Sequence, residues 1–171
     1  MKKTTRNLIH SAVIAALYVL LSLLQNMLLP NTTSMMVQFR VAEALCILAF
    51  FTPAAIPGLT LGCLLYNLVY VEALPLDFLV GTAATLLAAL AMYALRNVRL
   101  LKIPALAMLM PAVFNALLVG WELTYYFKEV PFWINALCVA AGEVAVLFVL
   151  GTPLYFALSN KGLKQRLFGV S

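Results

Sequence analysis

Asn115-Ala-Leu-Leu-Val-Gly-Trp-Glu122 and Asn135-Ala-Leu-Cys-Val-Ala-Ala-Gly-Glu143 read as approximate copies of one pattern. Each places an amide and a carboxylate about two helical turns apart in a segment that otherwise suits lipid. The link between them, Lys128-Glu129-Val130-Pro131, is short, so the two helices are expected to be antiparallel neighbours. At about 1.5 Å per residue, Glu122 and Asn135 should both lie within ~10 Å of the link, and Asn115 and Glu143 about 18 Å from it. Two polar layers follow, an amide facing a carboxylate in each.

The chain has 171 residues, of which 65% are hydrophobic and 10% charged. That composition lies far outside the soluble range. Apolar runs long enough to cross a hydrocarbon layer about 30 Å thick recur along the whole length, so an all-α integral membrane protein is expected, a single domain over residues 1–171. The run from Leu8 follows Lys2, Lys3 and Arg6 as in a signal peptide. It lacks a convincing cleavage site and reads as a retained helix. The net charge of +5 fits basic loops and calls for no nucleic acid. Cys46, Cys63 and Cys138 stand singly, without CxxC spacing, as small packing residues.

Six transmembrane helices are expected, at about 8–29, 36–51, 57–71, 78–95, 104–127 and 131–158. The second and third are short for a full span. Pro53, Pro57 and Gly58 punctuate the turn between them. Six helices put both termini on one side. Lys2, Lys3, Arg6, Arg96, Arg99, Lys102, Lys161, Lys164 and Arg166 all fall there, and the positive-inside rule makes that side cytoplasmic. The loops at 30–40, 72–77 and 128–130 then face outward.

Ionisable groups within membrane helices face a bundle interior or a watery cavity. Here they are Arg40, Glu43, Glu122 and Glu143, with the amides Asn67, Asn115 and Asn135. Almost all belong to the outer half of the membrane, which describes a cup opening outward that the loop at 30–40 would close. Arg40 and Glu43, spaced i, i+3, are equally placed to neutralise each other. Asn115 and Asn135 equally suit interhelical glue. Glu122 and Glu143 have no basic partner on their own helices except Lys128 near the rim, so a cationic or multi-donor ligand suits them. Trp121 and Trp133 neighbour the polar layers as stacking candidates, against the alternative of an interfacial aromatic belt that also takes in Tyr66, Tyr70, Tyr125 and Tyr126. Ala12-Val-Ile-Ala-Ala16 is a small-xxx-small pattern, a surface another helix can approach closely. The sequence holds no GxxxxGK[ST] loop, no HExxH and a single histidine, His10. ATPase, zinc peptidase and triad chemistry are therefore not expected of this chain, nor is any cofactor.

Four motifs carry a resemblance to a known family. Phe39-Arg-Val-Ala-Glu-Ala-Leu45, Phe51-Thr-Pro-Ala-Ala-Ile-Pro-Gly-Leu59 with Gly62-Cys63, Asn115 to Glu122, and Pro131-Phe-Trp-Ile-Asn-Ala-Leu137 with Gly142-Glu143 look like the QueT family along essentially the whole chain. The family comprises S components of energy-coupling factor (ECF) transporters associated with queuosine precursors. The resemblance implies a six-helix fold in the bacterial plasma membrane and a small-molecule site near the outer face. It also implies an energising module of one transmembrane coupling subunit and two ATPases, docked on helix one at positions matching Ala12 and Ala16, and transport by tilting of the loaded subunit among the membrane lipids. The implied substrate is a 7-deazaguanine such as pre-queuosine or queuine. Glu122, Glu143, Asn115, Asn135, Arg40, Glu43, Asn67, Trp121 and Trp133 are then its candidate contacts, with no ranking among the carboxylates. An S component for another vitamin-like substrate and a non-transporting membrane scaffold are the competing readings.

Overall fold

A computed structural model describes residues 3–30, 32, 37–70, 73–98 and 104–168. These are mostly helical, with no strand among them. Lys2, Glu72, Arg99 and Lys102, and residues 31 and 33–36 of the loop expected at 30–40, lie outside the described residues. The helices are α1 (Lys3–Leu28), α2 (Val41–Phe50), α3 (Ala55–Val69), α4 (Asp77–Leu95), α5 (Ala105–Tyr126), α6 (Phe132–Ser159) and α7 (Lys161–Phe168). By length and hydropathy α1, α4, α5 and α6 can cross a membrane; α2 and α3 are shorter apolar helices.

Local chemistry explains most of the boundaries. Pro111 sits in the first turn of the main segment of α5, where its missing N–H costs nothing. Pro131 caps α6 with an extended ψ. Pro153 falls inside α6, where the ring displaces a carbonyl one turn back, and a π turn at Leu147–Gly151 directly precedes it. That turn absorbs the misfit. The expected α-helix at 36–51 is instead a 3₁₀ helix over Val41–Phe50.

Two glycines set how closely α1 meets α3. A Cβ on Gly58 would lie 2.8 Å from the Ser11 carbonyl, and one on Gly62 would lie 2.6 Å from the Tyr18 Cβ. The backbones therefore touch, as small residues allow in membranes. The inward face of α1 is Ser11, Ile14, Ala15, Tyr18, Ser22 and Gln25, a helical stripe with polar groups in it. Ala12, Val13, Ala16, Leu17 and Leu20 lie on its exposed face. The core packs Ile14 and Tyr18 of α1 against Cys46, Ile47, Leu59, Cys63, Met92 and Met108.

This contact makes a stability prediction. Gly62→Ala should destabilise the protein by about 1–3 kcal/mol through overpacking. Gly162→Ala on α7 has room, its nearest neighbour being 3.6 Å away, and should be neutral or stabilising. Thermal unfolding in detergent measures both. A Gly62→Ala protein melting at or above the parent would show that α1 and α3 do not touch.

Candidate functional site

The site begins where the chain enters α2. A 3₁₀ helix repeats every three residues, which sets Arg40, Glu43 and Cys46 in one buried column. Arg40 and Glu43 do not pair. The Arg40 guanidinium lies 3.8 Å from the Asp77 carboxylate at the start of α4. The Glu43 carboxylate accepts hydrogen bonds from the Tyr18 hydroxyl (2.6 Å), the Thr85 hydroxyl (3.2 Å) and the Cys46 thiol (3.1 Å). It is thus held by three helices and has no need of a neighbouring cation. Gly81 of α4 makes room for this arrangement, since a Cβ there would come within 2.9 Å of the Asn67 amide nitrogen and 3.4 Å of Arg40. Asn67 donates to the Asp77 carbonyl at 2.9 Å, and the Leu74 N–H donates to the Asp77 carboxylate at 2.9 Å. Asp77, expected from the sequence in an outward loop, belongs to the polar interior.

The second half of the site lies between α5 and α6. Gly120 permits their contact, since a Cβ there would come within 2.9 Å of the Ala136 Cα. In the inner layer Asn115 donates to Glu143 at 3.2 Å, as the duplicated pattern predicts. The outer layer differs. Asn135 donates to the Thr124 hydroxyl at 3.0 Å and the Val130 carbonyl at 3.4 Å, not to Glu122. Thr124 is two residues beyond Glu122, on a different face of the helix, and it captures the amide first. Glu122 is fully buried, its oxygens accept from no N–H or hydroxyl of the described residues, and its carboxyl faces that of Asp77. The charged groups that act on it are Asp77 and Arg40, while Glu43 and Arg40 act on Glu143. Arg40 therefore links the two halves.

The expected open cup is closed in this structure. Glu43, Glu122 and Glu143 are 0% exposed, and Arg40, Asn67, Asn115 and Asn135 are buried too. The seal is the segment at 37–40. The backbone of Gln38 rests on Gly142, where any Cβ would overlap the Gln38 carbonyl. From α1, Gln25 donates to the Phe39 carbonyl and to Thr32 (3.0 Å), and accepts from the Val41 N–H at 2.8 Å. Trp121 and Trp133 are 52% and 73% exposed, and Trp121 stacks on Tyr125. They lie on the outer surface, as an aromatic belt does, away from the buried carboxylates.

Five buried acceptor oxygens here have no N–H or hydroxyl partner among the described residues: Gln38 Oε1, Asn115 Oδ1, both oxygens of Glu122 and Glu143 Oε2; the matching donor is Arg40 Nε. Buried polar atoms are satisfied in folded proteins by water or a ligand when not by protein, so these oxygens have capacity for donors from either. Sequence reasoning missed Tyr18, Gln25, Gln38, Asp77 and Thr85. The polar stripe Ser11, Tyr18, Ser22 and Gln25 on otherwise apolar α1 was the available signal for two of them. Among the described residues no group of three or more His, Cys, Asp or Glu is arranged to hold a metal ion.

A family model described as QueT transporter matches residues 8–160. No curated protein and no solved structure matches the chain.

The Glu43 network can be tested by subtraction. Tyr18→Phe keeps the ring and removes one donor to a buried carboxylate, and should cost about 1.5–3 kcal/mol of stability. Chemical or thermal unfolding measures it; an unchanged midpoint would mean that the bond contributes nothing.

Proposed function

Because this chain belongs to the QueT transporter family, we propose that it is the substrate-binding S component of an ECF-type importer and that its cargo is a queuosine precursor. The observation that carries the cargo is the excess of unpartnered buried acceptors around Glu122, Asn115 and Glu143. A 7-deazaguanine presents a ring N–H and an exocyclic amine side by side, and one carboxylate accepts both. Glu122, whose oxygens accept from no N–H or hydroxyl of the described residues, takes that edge. Arg40, through Nε, donates to the ring carbonyl. The second oxygen of Glu143 and the Asn115 carbonyl receive the remaining donors, including the aminomethyl cation of a pre-queuosine base. Glu43, Asn67 and Asn135 hold the walls in place. Stacking on the ring falls to Tyr126, half-buried beside Glu122, Asp77 and the Leu76 backbone, a contact of roughly 1–3 kcal/mol by analogy with base stacking.

The remaining architecture follows the same reading. Helices α1 to α6 form a single six-helix domain over residues 1–171 in the bacterial plasma membrane, with both termini cytoplasmic and the site toward the outer face. Ala12 and Ala16, on the exposed face of α1, dock the transmembrane coupling subunit. Two partner ATPases supply the energy, and this chain itself catalyses nothing.

Two predictions separate cargo from docking. Purified protein should melt higher with 7-aminomethyl-7-deazaguanine, by the equivalent of about 2.7 kcal/mol at a hundred times Kd. Glu122→Gln should weaken binding by about ten-fold or more, the loss of a charged hydrogen bond. If neither this base nor queuine shifts the melting of the parent, the cargo assignment fails. Ala12→Trp should abolish uptake in cells expressing the whole transporter while leaving ligand-induced melting intact. Loss of binding in that variant would place the outer face of α1 in the pocket or the fold instead of at an interface.

A further inference from the structure

The bundle end that carries the start of α1 and the helix α7 holds a second feature, which the carboxylate site does not use. Lys3, Arg6 and His10 of α1, Arg96 after α4 and Lys164 of α7 line a cavity of about 470 Å³. That volume is in the range of small-molecule sites, about 300–1,000 Å³. Among the described residues no carboxylate lines it. The described acidic residues are elsewhere: Glu43, Asp77, Glu122 and Glu143 in the polar interior, and Glu129 in the link between α5 and α6.

The cavity is a built one. Phe168 of α7 is buried, stacked on Phe51 at 5.7 Å and edge-on to His10 at 6.2 Å, so the last helix is folded back as a wall. The Arg96 guanidinium is fixed over the Tyr93 ring at 3.9 Å and donates to the Tyr93 carbonyl at 2.5 Å. Arg6 Nε is buried without a hydrogen-bond partner. Positioned guanidinium donors with no counter-charge among the described lining residues match a phosphate oxygen in geometry and sign. The aromatic wall and the volume suit something larger than a bare ion.

We propose that this cavity binds a phosphate ester, with the phosphate against Arg6, Arg96 and Lys164 and the ester group along the aromatic wall. Two sources present that chemistry, the headgroup of an anionic phospholipid and a soluble phosphate ester. Exposed Leu163 and Leu167 beside Lys164 and Arg166 on α7 are the composition of a helix lying in a membrane interface, which brings headgroups to the cavity mouth.

The test uses the full chain in a neutral detergent, with dioctanoyl phosphatidylglycerol and glycerol 3-phosphate as probes and melting and titration as readouts. The parent should bind at least one of them. Arg6→Gln should weaken that binding about ten-fold or more. Arg166→Gln, the loss of a like charge outside the cavity, should leave it within about two-fold at physiological ionic strength. Lys164→Gln serves as the second variant if Arg6→Gln does not fold. Binding of the lipid alone identifies a headgroup site, and comparable binding of both identifies a phosphate-ester site open to solutes. Binding of neither, or equal losses in the cavity variants and Arg166→Gln, would overturn the proposal, the second outcome showing only diffuse attraction.

Discussion

A single guanidinium, Arg40, stands among four carboxylates inside an apolar bundle, and the structure around it follows from that imbalance. Burying an ion costs several kcal/mol even after relaxation unless partners replace the lost water. The four carboxylates meet that requirement to different degrees. Glu43 has three donors, Asp77 has Arg40 and a backbone N–H, Glu143 has one amide, and Glu122 has only the facing Asp77 carboxyl. Under the proposed function, the order runs from scaffold to recognition surface. A fully satisfied carboxylate fixes the helices that hold it, while an unsatisfied one has its hydrogen-bonding capacity in reserve for something that arrives later.

The irregular helices serve the same end. A 3₁₀ helix rises about 2.0 Å per residue against about 1.5 Å for an α-helix, so α2 reaches farther through the bundle than its ten residues would otherwise allow. Its three-residue repeat puts Arg40 and Glu43 in one column, Arg40 toward Asp77 at the start of α4 and Glu43 toward Tyr18 of α1 and Thr85 of α4. Such long 3₁₀ stretches are uncommon and weakly bonded, and packing must support this one. Part of that support is the π turn of α6, where Gly151 comes within 3.2 Å of Ile47 by the position a Cβ would take. Two departures from α geometry thus brace each other beside the site.

How much of this is legible in the sequence depends on the range of the interaction. The membrane class rests on composition, and the Asn115–Glu143 pair rests on a short link and helical arithmetic, both local properties. The Asn135–Glu122 pair does not form because Thr124 offers the amide a nearer acceptor, a competition that residue spacing does not rank. Asp77 reads as loop because acidic residues after a proline usually are, and only the fold brings it to Arg40. The exposure of Trp121 and Trp133 depends on helix rotation about its axis, which a sequence apolar on nearly every face leaves undetermined. The 3₁₀ form of α2 carries no compositional sign at all.

The seal and the cation are parts of one segment, and this constrains how the site can work. Gln38 rests on Gly142, Phe39 and Val41 are tied to Gln25 of α1, and Arg40 lies between those two tied residues. In the proposed function, a movement of residues 37–40 that admits a ligand would carry the Arg40 backbone with it and strain its 3.8 Å pairing with Asp77. The opened site would then present its carboxylates with their one internal cation withdrawn, which favours a ligand rich in N–H donors or carrying a positive charge. Once such a ligand is seated, it supplies the donors that Glu122 and Glu143 lack, and the segment can close without enclosing unpaired acceptors. Under the proposed function, closure would be coupled to occupancy through hydrogen-bond satisfaction, with no separate sensor of the bound state required.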